Sequence, residues 1–194
     1  MIRDYSSFLF LQVLLYLFVF TNLSYDTASA QVRNTTWGSS VEEVKEALGK
    51  PNLEERKSTD KIVFLASQET TAGKETYVAY YFVDDKLAKI RVLYMNPSMT
   101  ITEFESISNQ ITSKYGSPYK ENENWHDDTW KDDDNELDYA IRMGDVTISK
   151  SWKTEDTLVQ FGIGRSNSGV TGQVIEYVSL ELAETFNNAI SSDF

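Results

Sequence analysis

The chain has 194 residues, no cysteine, one histidine and a formal charge of −12 from 18 basic and 30 acidic side chains. That length allows one or two small domains with a hydrophobic core, and the missing cysteine excludes disulfides, thiolate metal sites and a lipid-modified cysteine. A single histidine excludes a two-histidine metal centre, and the acidic balance argues against binding nucleic acid or anionic lipid, which both need a basic surface.

The first thirty residues are typical of a cleaved signal peptide. Arg3 precedes an apolar run over residues 8–20, and Ala28-Ser29-Ala30 follows as an A-x-A cleavage site. The run makes about 20 Å of helix, short of the roughly 30 Å hydrocarbon core of a bilayer. We therefore expect cleavage after Ala30, with an uncleaved anchor as the alternative. The mature protein would be exported, periplasmic or secreted, without a stable membrane anchor.

The first helix of the mature chain is predicted from residue 40 to residue 48. Ser39 and Ser40 each have a glutamate three positions on, so either serine can close a capping box. Apolar residues recur on one face at helical spacing: Val41, Val44 and Leu48. Gly49 then supplies a left-handed stop and Pro51 prevents continuation. Both ends of this helix are therefore specified locally.

Three strands are predicted after this helix, over residues 62–67, 75–83 and 86–95. They are rich in β-branched and aromatic residues, and Asp84-Asp85 is a two-residue turn between the last two. The aromatic residues of this region are interface candidates: Tyr77, Tyr80, Tyr81, Phe82 and Tyr94. Because strand side chains alternate between faces, one face packs in the core. We expect a helix or the second unit to cover the other face, with an exposed aromatic patch that marks an interface as the alternative.

A second helix is predicted from residue 100 to residue 115. Thr100 and Glu103 can form its capping box, and Gly116 and Pro118 end it. Its apolar stripe comprises Phe104, Ile107, Ile111 and Tyr115. The Gly-x-Pro ending that it shares with the first helix predicts a duplicated unit. The alternative is that many helices simply end in glycine followed by proline.

An acidic segment, residues 121–138, follows the second helix. Asp132, Asp134 and Glu136 alternate within it and could supply three oxygen ligands to calcium. The EF-hand template fails, because the sixth position counted from Asp132 is Leu137 and not glycine. We therefore predict a solvated acidic loop whose two tryptophans pack inward, with a calcium site as the alternative.

Three more strands are predicted over residues 146–152, 157–163 and 173–180. Residues 136–143 fit a short helix or a strand, of which we predict the helix, and a closing helix is predicted over 182–190. No catalytic motif accompanies these elements: His126 is the only imidazole, and the chain has no G-x-S-x-G element. Gly162-x-Gly164 lacks the third glycine of a dinucleotide site, so no cofactor is expected.

These elements together predict an α+β fold, with helices packed on one face of an antiparallel sheet. After the signal peptide at residues 1–30, the chain divides into two helix-plus-strands units in tandem, residues 31–97 and 98–194. One continuous domain is the alternative division.

The segment Trp37–Pro51, WGSSVEEVKEALGKP, followed by the hairpin Tyr80–Tyr94, resembles patterns of small exported bacterial proteins. It is similar to the helical opening of the small protein A / outer-membrane lipoprotein A family and to the repeat of the tandem β-lactamase inhibitor proteins. The resemblance lies mainly within residues 37–95, and it implies helices on an antiparallel sheet, no catalysis and protein–protein contact in the envelope. The chain departs from the lipoproteins because it lacks the cysteine by which they are anchored.

The sequence thus favours an exported, non-enzymatic protein that binds another envelope or extracellular protein through its sheet face. One alternative is a calcium-binding protein that uses the acidic segment. A second is a hydrolase with a carboxylate pair, since an acidic chain has many candidate pairs and no motif selects one of them.

Overall fold

The computed structural model describes residues 32–94, 100–166 and 169–191. In chain order its elements are α1 (Val41–Ala47), β1 (Glu55–Lys57), β2 (Ile62–Thr71), β3 (Lys74–Val83), β4 (Lys86–Tyr94), α2 (Ile101–Tyr115), β5 (Lys120–Trp125), a 3₁₀ turn (Asp134–Glu136), α3 (Leu137–Met143), β6 (Val146–Lys153), β7 (Thr157–Arg165), β8 (Thr171–Ser179) and α4 (Ala183–Ser191). The predicted signal peptide, residues 1–30, lies outside the described residues. Within them, no helix combines the length and apolar character needed to span a bilayer.

The strands form one antiparallel sheet with the order β1-β2-β3-β4-β8-β7-β6-β5. β4 and β8 pair at its centre, where Ile90 lies opposite Tyr177. The prediction of a mixed α+β fold with an antiparallel sheet is confirmed. The short helix over residues 136–143 is also observed, as α3.

The edge strands β1 and β5 are absent from the sequence-based prediction. Their sequences, ERK and KENENW, are charged and polar and are mostly exposed. They are strands because their backbones pair with β2 and β6, as Arg56 does with Phe64 and Asn122 does with Ser149. Because these two strands have no apolar periodicity, the sequence did not predict them. Charged side chains are typical of strands at the edge of a sheet.

One face of the sheet packs against α1, α2 and α3. Phe104 of α2 stacks on Phe161 of β7 with ring centroids 4.6 Å apart, and Val44 of α1 belongs to the same buried cluster. Trp152 is fully buried there and donates its indole N–H to Thr112 Oγ1 at 3.2 Å. Complete burial of each large apolar side chain contributes about 1.5–3 kcal/mol, so this layer is the main core.

The fourth helix, α4, packs on the opposite face. Its Phe186 and Ala189 form a second buried cluster with Ile62, Val83 and Ala88. Tyr81 approaches Phe186 edge-on at 6.1 Å between centroids. The expectation that all helices lie on one face is corrected here. The reason is that alternate residues of β3 are apolar on both faces, so both faces require a cover.

The N-terminal ends of α1 and α2 form the capping boxes that their sequences predict. Ser40 and Glu43 form the capping box of α1, which settles the choice between Ser39 and Ser40. Thr100 and Glu103 form the corresponding box of α2.

Candidate functional site

The part of the sheet that α4 leaves uncovered forms a groove across β4, β8, β7, β6 and β5. The groove consists of two adjoining depressions of about 580 and 530 Å³. The first, here called the polar end, is lined by Arg91, Lys120, Asn122, Ser149, Gln160 and Glu176 among others. The second, here called the glycine end, is lined by Leu93, Gly162, Gly164, Val170, Gly172 and Val174 among others. Both share Leu93, Gly162 and Val174, so the groove is continuous.

Strand alternation places these residues on the uncovered face. Ser149, Gly162 and Val174 lie opposite one another on β6, β7 and β8. Their chain neighbours Phe161 and Ile175 are buried in the main core. Ser149 and Gly162, with a small side chain and none, therefore lie on the uncovered face.

The polar end holds a triad of charged side chains. Glu176 accepts a hydrogen bond from Arg91 Nε at 2.7 Å. It also forms ion pairs with Lys89 Nζ at 2.8 Å and with Arg91 Nη2 at 2.6 Å. Burial alone would raise the pKa of Glu176, but the hydrogen bonds and charges of Lys89 and Arg91 lower it. Glu176 is therefore ionised at neutral pH. Lys120, across the polar end, is exposed and has no ion pair with the described residues.

The glycine end combines the backbone of three glycines with aliphatic side chains and the side chain of Thr147, which packs over Gly164. Gly164 lies directly opposite Gly172, and Gly162 lies opposite Val174. None of these three glycines is in the left-handed conformation. A Cβ at Gly162 would lie 3.4 Å from the carbonyl oxygen of Ile148, which is ordinary contact.

Exposed aromatic side chains border the groove. Tyr119 lines it, and Tyr77 lies beside it because it pairs with Leu93. Of the aromatic interface candidates, Tyr77 is the one whose side chain is exposed on the uncovered face.

The remaining aromatic candidates lie elsewhere. Tyr80, Phe82 and Tyr94 are buried in the main core. Tyr81 stacks on Phe64 at 5.6 Å and packs under α4. Sequence reasoning missed Tyr119 and the glycines. The shared parity of Gly162 and Gly164 was the signal that could have revealed the glycines.

The described side chains of the acidic segment do not bring their carboxylates together. Asp132 is exposed, and Asp133 accepts a hydrogen bond from the backbone N–H of Asn135 at 3.0 Å. Asp134 and Glu136 lie in the 3₁₀ turn, where the side chain of Asp134 is not described. Among the described side chains, no three acidic or histidine residues come together as candidate metal ligands.

A separate buried network of charges lies around Glu69 on β2. Its carboxylate accepts hydrogen bonds from Arg33 and from the Tyr80 hydroxyl, the latter at 3.0 Å. Burial and the Glu69 charge raise the pKa of Tyr80, so the phenol stays neutral and remains a donor. Arg33 also donates to Thr71 Oγ1 at 3.1 Å. These contacts fix the first described residues to β2, which is a structural role.

The side chains that line the groove can bind a ligand through hydrogen bonds and apolar contacts. Its hydrogen-bonding side chains surround a flat apolar floor, and Glu176 is the one carboxylate among the described lining residues. That carboxylate is already held by two cations.

No protein-family model, curated protein or solved structure matches this chain. The function is therefore inferred from the groove itself.

Proposed function

We propose that the chain is an exported, non-enzymatic protein that binds another envelope or extracellular protein through the groove. The observation that carries the proposal is where the exposed apolar side chains lie. Five large hydrophobic side chains are exposed in the described part of the chain, namely Tyr77, Tyr119, Tyr139, Met143 and Val170. Of these, Tyr77, Tyr119 and Val170 border the groove. Apolar groups clustered around a concave surface are typical of interaction sites.

We further infer that the two halves, residues 31–97 and 98–194, are tandem units. The strand order supports this, because each half contributes four consecutive strands and the two last strands, β4 and β8, meet in the middle. Both halves begin with a capped helix, α1 or α2, that packs on the main core. The second unit differs by the insertion of α3 between β5 and β6.

If the halves are tandem units, the covering helix α4 explains why the first unit lacks a groove that corresponds to that of the second. The first unit presents Phe64, Tyr81 and Val83 on the face opposite the main core, and α4 covers them. The corresponding face of the second unit has no such cover within the described residues, and it forms most of the groove. Because α4 covers this face of the first unit only, the second unit keeps an open surface there.

Site-specific photocrosslinking tests this proposal. A benzophenone amino acid replaces Ser149 inside the groove or, as the control, the exposed Ser113 on α2, in the full chain made in its own host. Both proteins must be exported equally. We expect a covalent adduct with a second protein from position 149 and none from position 113. Equal adducts from the two positions, or none from position 149, would show that the groove is not the interface.

A further inference from the structure

Glycine is unusually placed in two central strands of the sheet. Gly162 and Gly164 lie in β7 and Gly172 lies in β8, all three on the groove side. Glycine in the interior of a strand weakens it, and it commonly marks a place where a ligand or another backbone approaches closely. None of the three has a positive φ, so the backbone conformation does not require them. A Cβ at Gly164 would lie 3.0 Å from Thr147 Oγ1, and one at Gly172 would lie 3.3 Å from the Tyr94 carbonyl oxygen, so close neighbours account for these two glycines. Gly162 has no such close neighbour and leaves open space in the groove.

The shape of the glycine end suits a flat apolar group. Its floor is the backbone of Gly162 and Gly172 together with the Thr147 side chain, which packs over Gly164. Leu93, Val170 and Val174 supply aliphatic walls. An aromatic ring can lie on such a floor and gain contact over a whole face, which a branched aliphatic side chain cannot do.

The charge of the groove is opposite to that of the chain. Its lining includes three cations, Arg91, Lys120 and Arg165, and one carboxylate, Glu176. The whole chain has a net charge of −12. An acidic partner segment is therefore attracted to this surface and repelled elsewhere, which selects its orientation.

The spacing between the two ends follows from the sheet register. Gly164, Gly162 and Gln160 are successive groove-side residues of β7, and Gln160 lies in the row of Glu176 and Arg91. Successive groove-side positions are about 7 Å apart along a strand. The centre of the glycine end is thus about 7–14 Å from Arg91 and Lys120, a distance that two to four residues of an extended segment span.

We propose that the groove binds an extended protein segment that carries an aromatic residue and, two to four positions away, an aspartate or glutamate. The aromatic ring lies on the glycine end, and the carboxylate faces Arg91 and Lys120. This proposal rests on the proposed function and specifies the chemistry of the partner.

Selection from a displayed library of random dodecapeptides on the exported chain tests the proposal. Binders are then measured against two variants, Gly162→Val, which raises the floor of the glycine end, and Lys120→Gln, which removes an exposed charge. Lys114→Gln on α2 is the matched control. We expect the enriched peptides to pair an aromatic with an acidic residue at the stated spacing. Their affinity should fall at least about tenfold with Gly162→Val and about threefold with Lys120→Gln, and stay unchanged with the control.

The outcomes separate the two proposals. Peptides that depend on Gly162 but lack the aromatic–acidic pair would overturn this inference and leave the groove as a protein-binding site. No Gly162-dependent peptide, together with no crosslink from position 149, would overturn both. Loss of folding by Gly162→Val, measured as a lower melting temperature, leaves Lys120→Gln to decide. Peptides insensitive to Lys120→Gln would refute the charge assignment.

Discussion

Replacing Glu176 with glutamine tests the electrostatic account of the polar end. Glu176 pairs across strands with Arg91 and also accepts a hydrogen bond from Lys89. Glutamine keeps the size of the side chain and removes its charge, which leaves the two cations side by side without a counter-charge. We therefore expect Glu176→Gln to lower the free energy of unfolding at neutral pH.

The magnitude follows from the partial burial of the triad. Exposed ion pairs contribute about 0.2–1 kcal/mol, and breaking a fully buried pair costs about 3–5 kcal/mol. The side chains of Glu176 and Lys89 are 21% and 15% exposed and that of Arg91 is 45% exposed, so the triad lies between these limits. We expect a loss of about 1–2 kcal/mol, which lowers the melting temperature by about 2–8 °C for a chain of this size.

The pH dependence of this loss gives a sharper test. Because the pKa of Glu176 is lowered by folding, its contribution is complete above the ordinary carboxyl pKa of 4.5 and disappears as the pH falls through the lower value of the folded state. Urea unfolding of the parent and of Glu176→Gln should therefore differ at pH 7 and converge in strong acid. Glu75→Gln, at an exposed carboxylate of β3, is the control and should change stability by less than about 0.5 kcal/mol. Equal stabilities of parent and Glu176→Gln at pH 7, or a difference that persists at every pH, would refute the reasoning.

Three further predictions concern the two cores and the export signal. Trp152→Ala removes the largest fully buried side chain and should cost about 3–5 kcal/mol in urea unfolding, and a loss below about 1 kcal/mol would contradict its place in the core. Phe186→Ala should cost about 3 kcal/mol and increase hydrogen exchange around Tyr81, whereas unchanged exchange would show that α4 does not cover that face. N-terminal sequencing of exported material should begin at Gln31, and an intact Met1 would overturn the cleavage prediction.

The local features of the fold could be predicted because a few neighbouring residues determine them. The capping box of α1 needs only Ser40 and Glu43, and the structure forms it. The turn at Asp84 and Asp85 is likewise formed, with Val83 and Lys86 paired across it. Such signals do not depend on the rest of the chain.

The features that the sequence did not predict depend on distant residues. Alternation divides Tyr80 and Tyr81 between two faces, but nothing in the strand says which face receives which helix. That choice is made by Phe186, which lies more than a hundred residues further along the chain. The glycine end depends on register as well, because Gly172 joins the site only when β8 pairs with β7 so that Gly164 is opposite.

The groove and the acidic composition together restrict how a partner approaches. The helices of the other face carry acidic residues in their first turns, such as Glu42 and Glu43 of α1, and most described residues of the acidic segment are also exposed. An acidic segment that is attracted by Arg91 and Lys120 is therefore repelled by the opposite side of the molecule. Such long-range interactions are screened beyond about 10 Å at 0.1 M salt. We therefore expect the proposed orientation by charge to weaken as salt is added, and the proposed contact of an aromatic ring with the glycine end to persist.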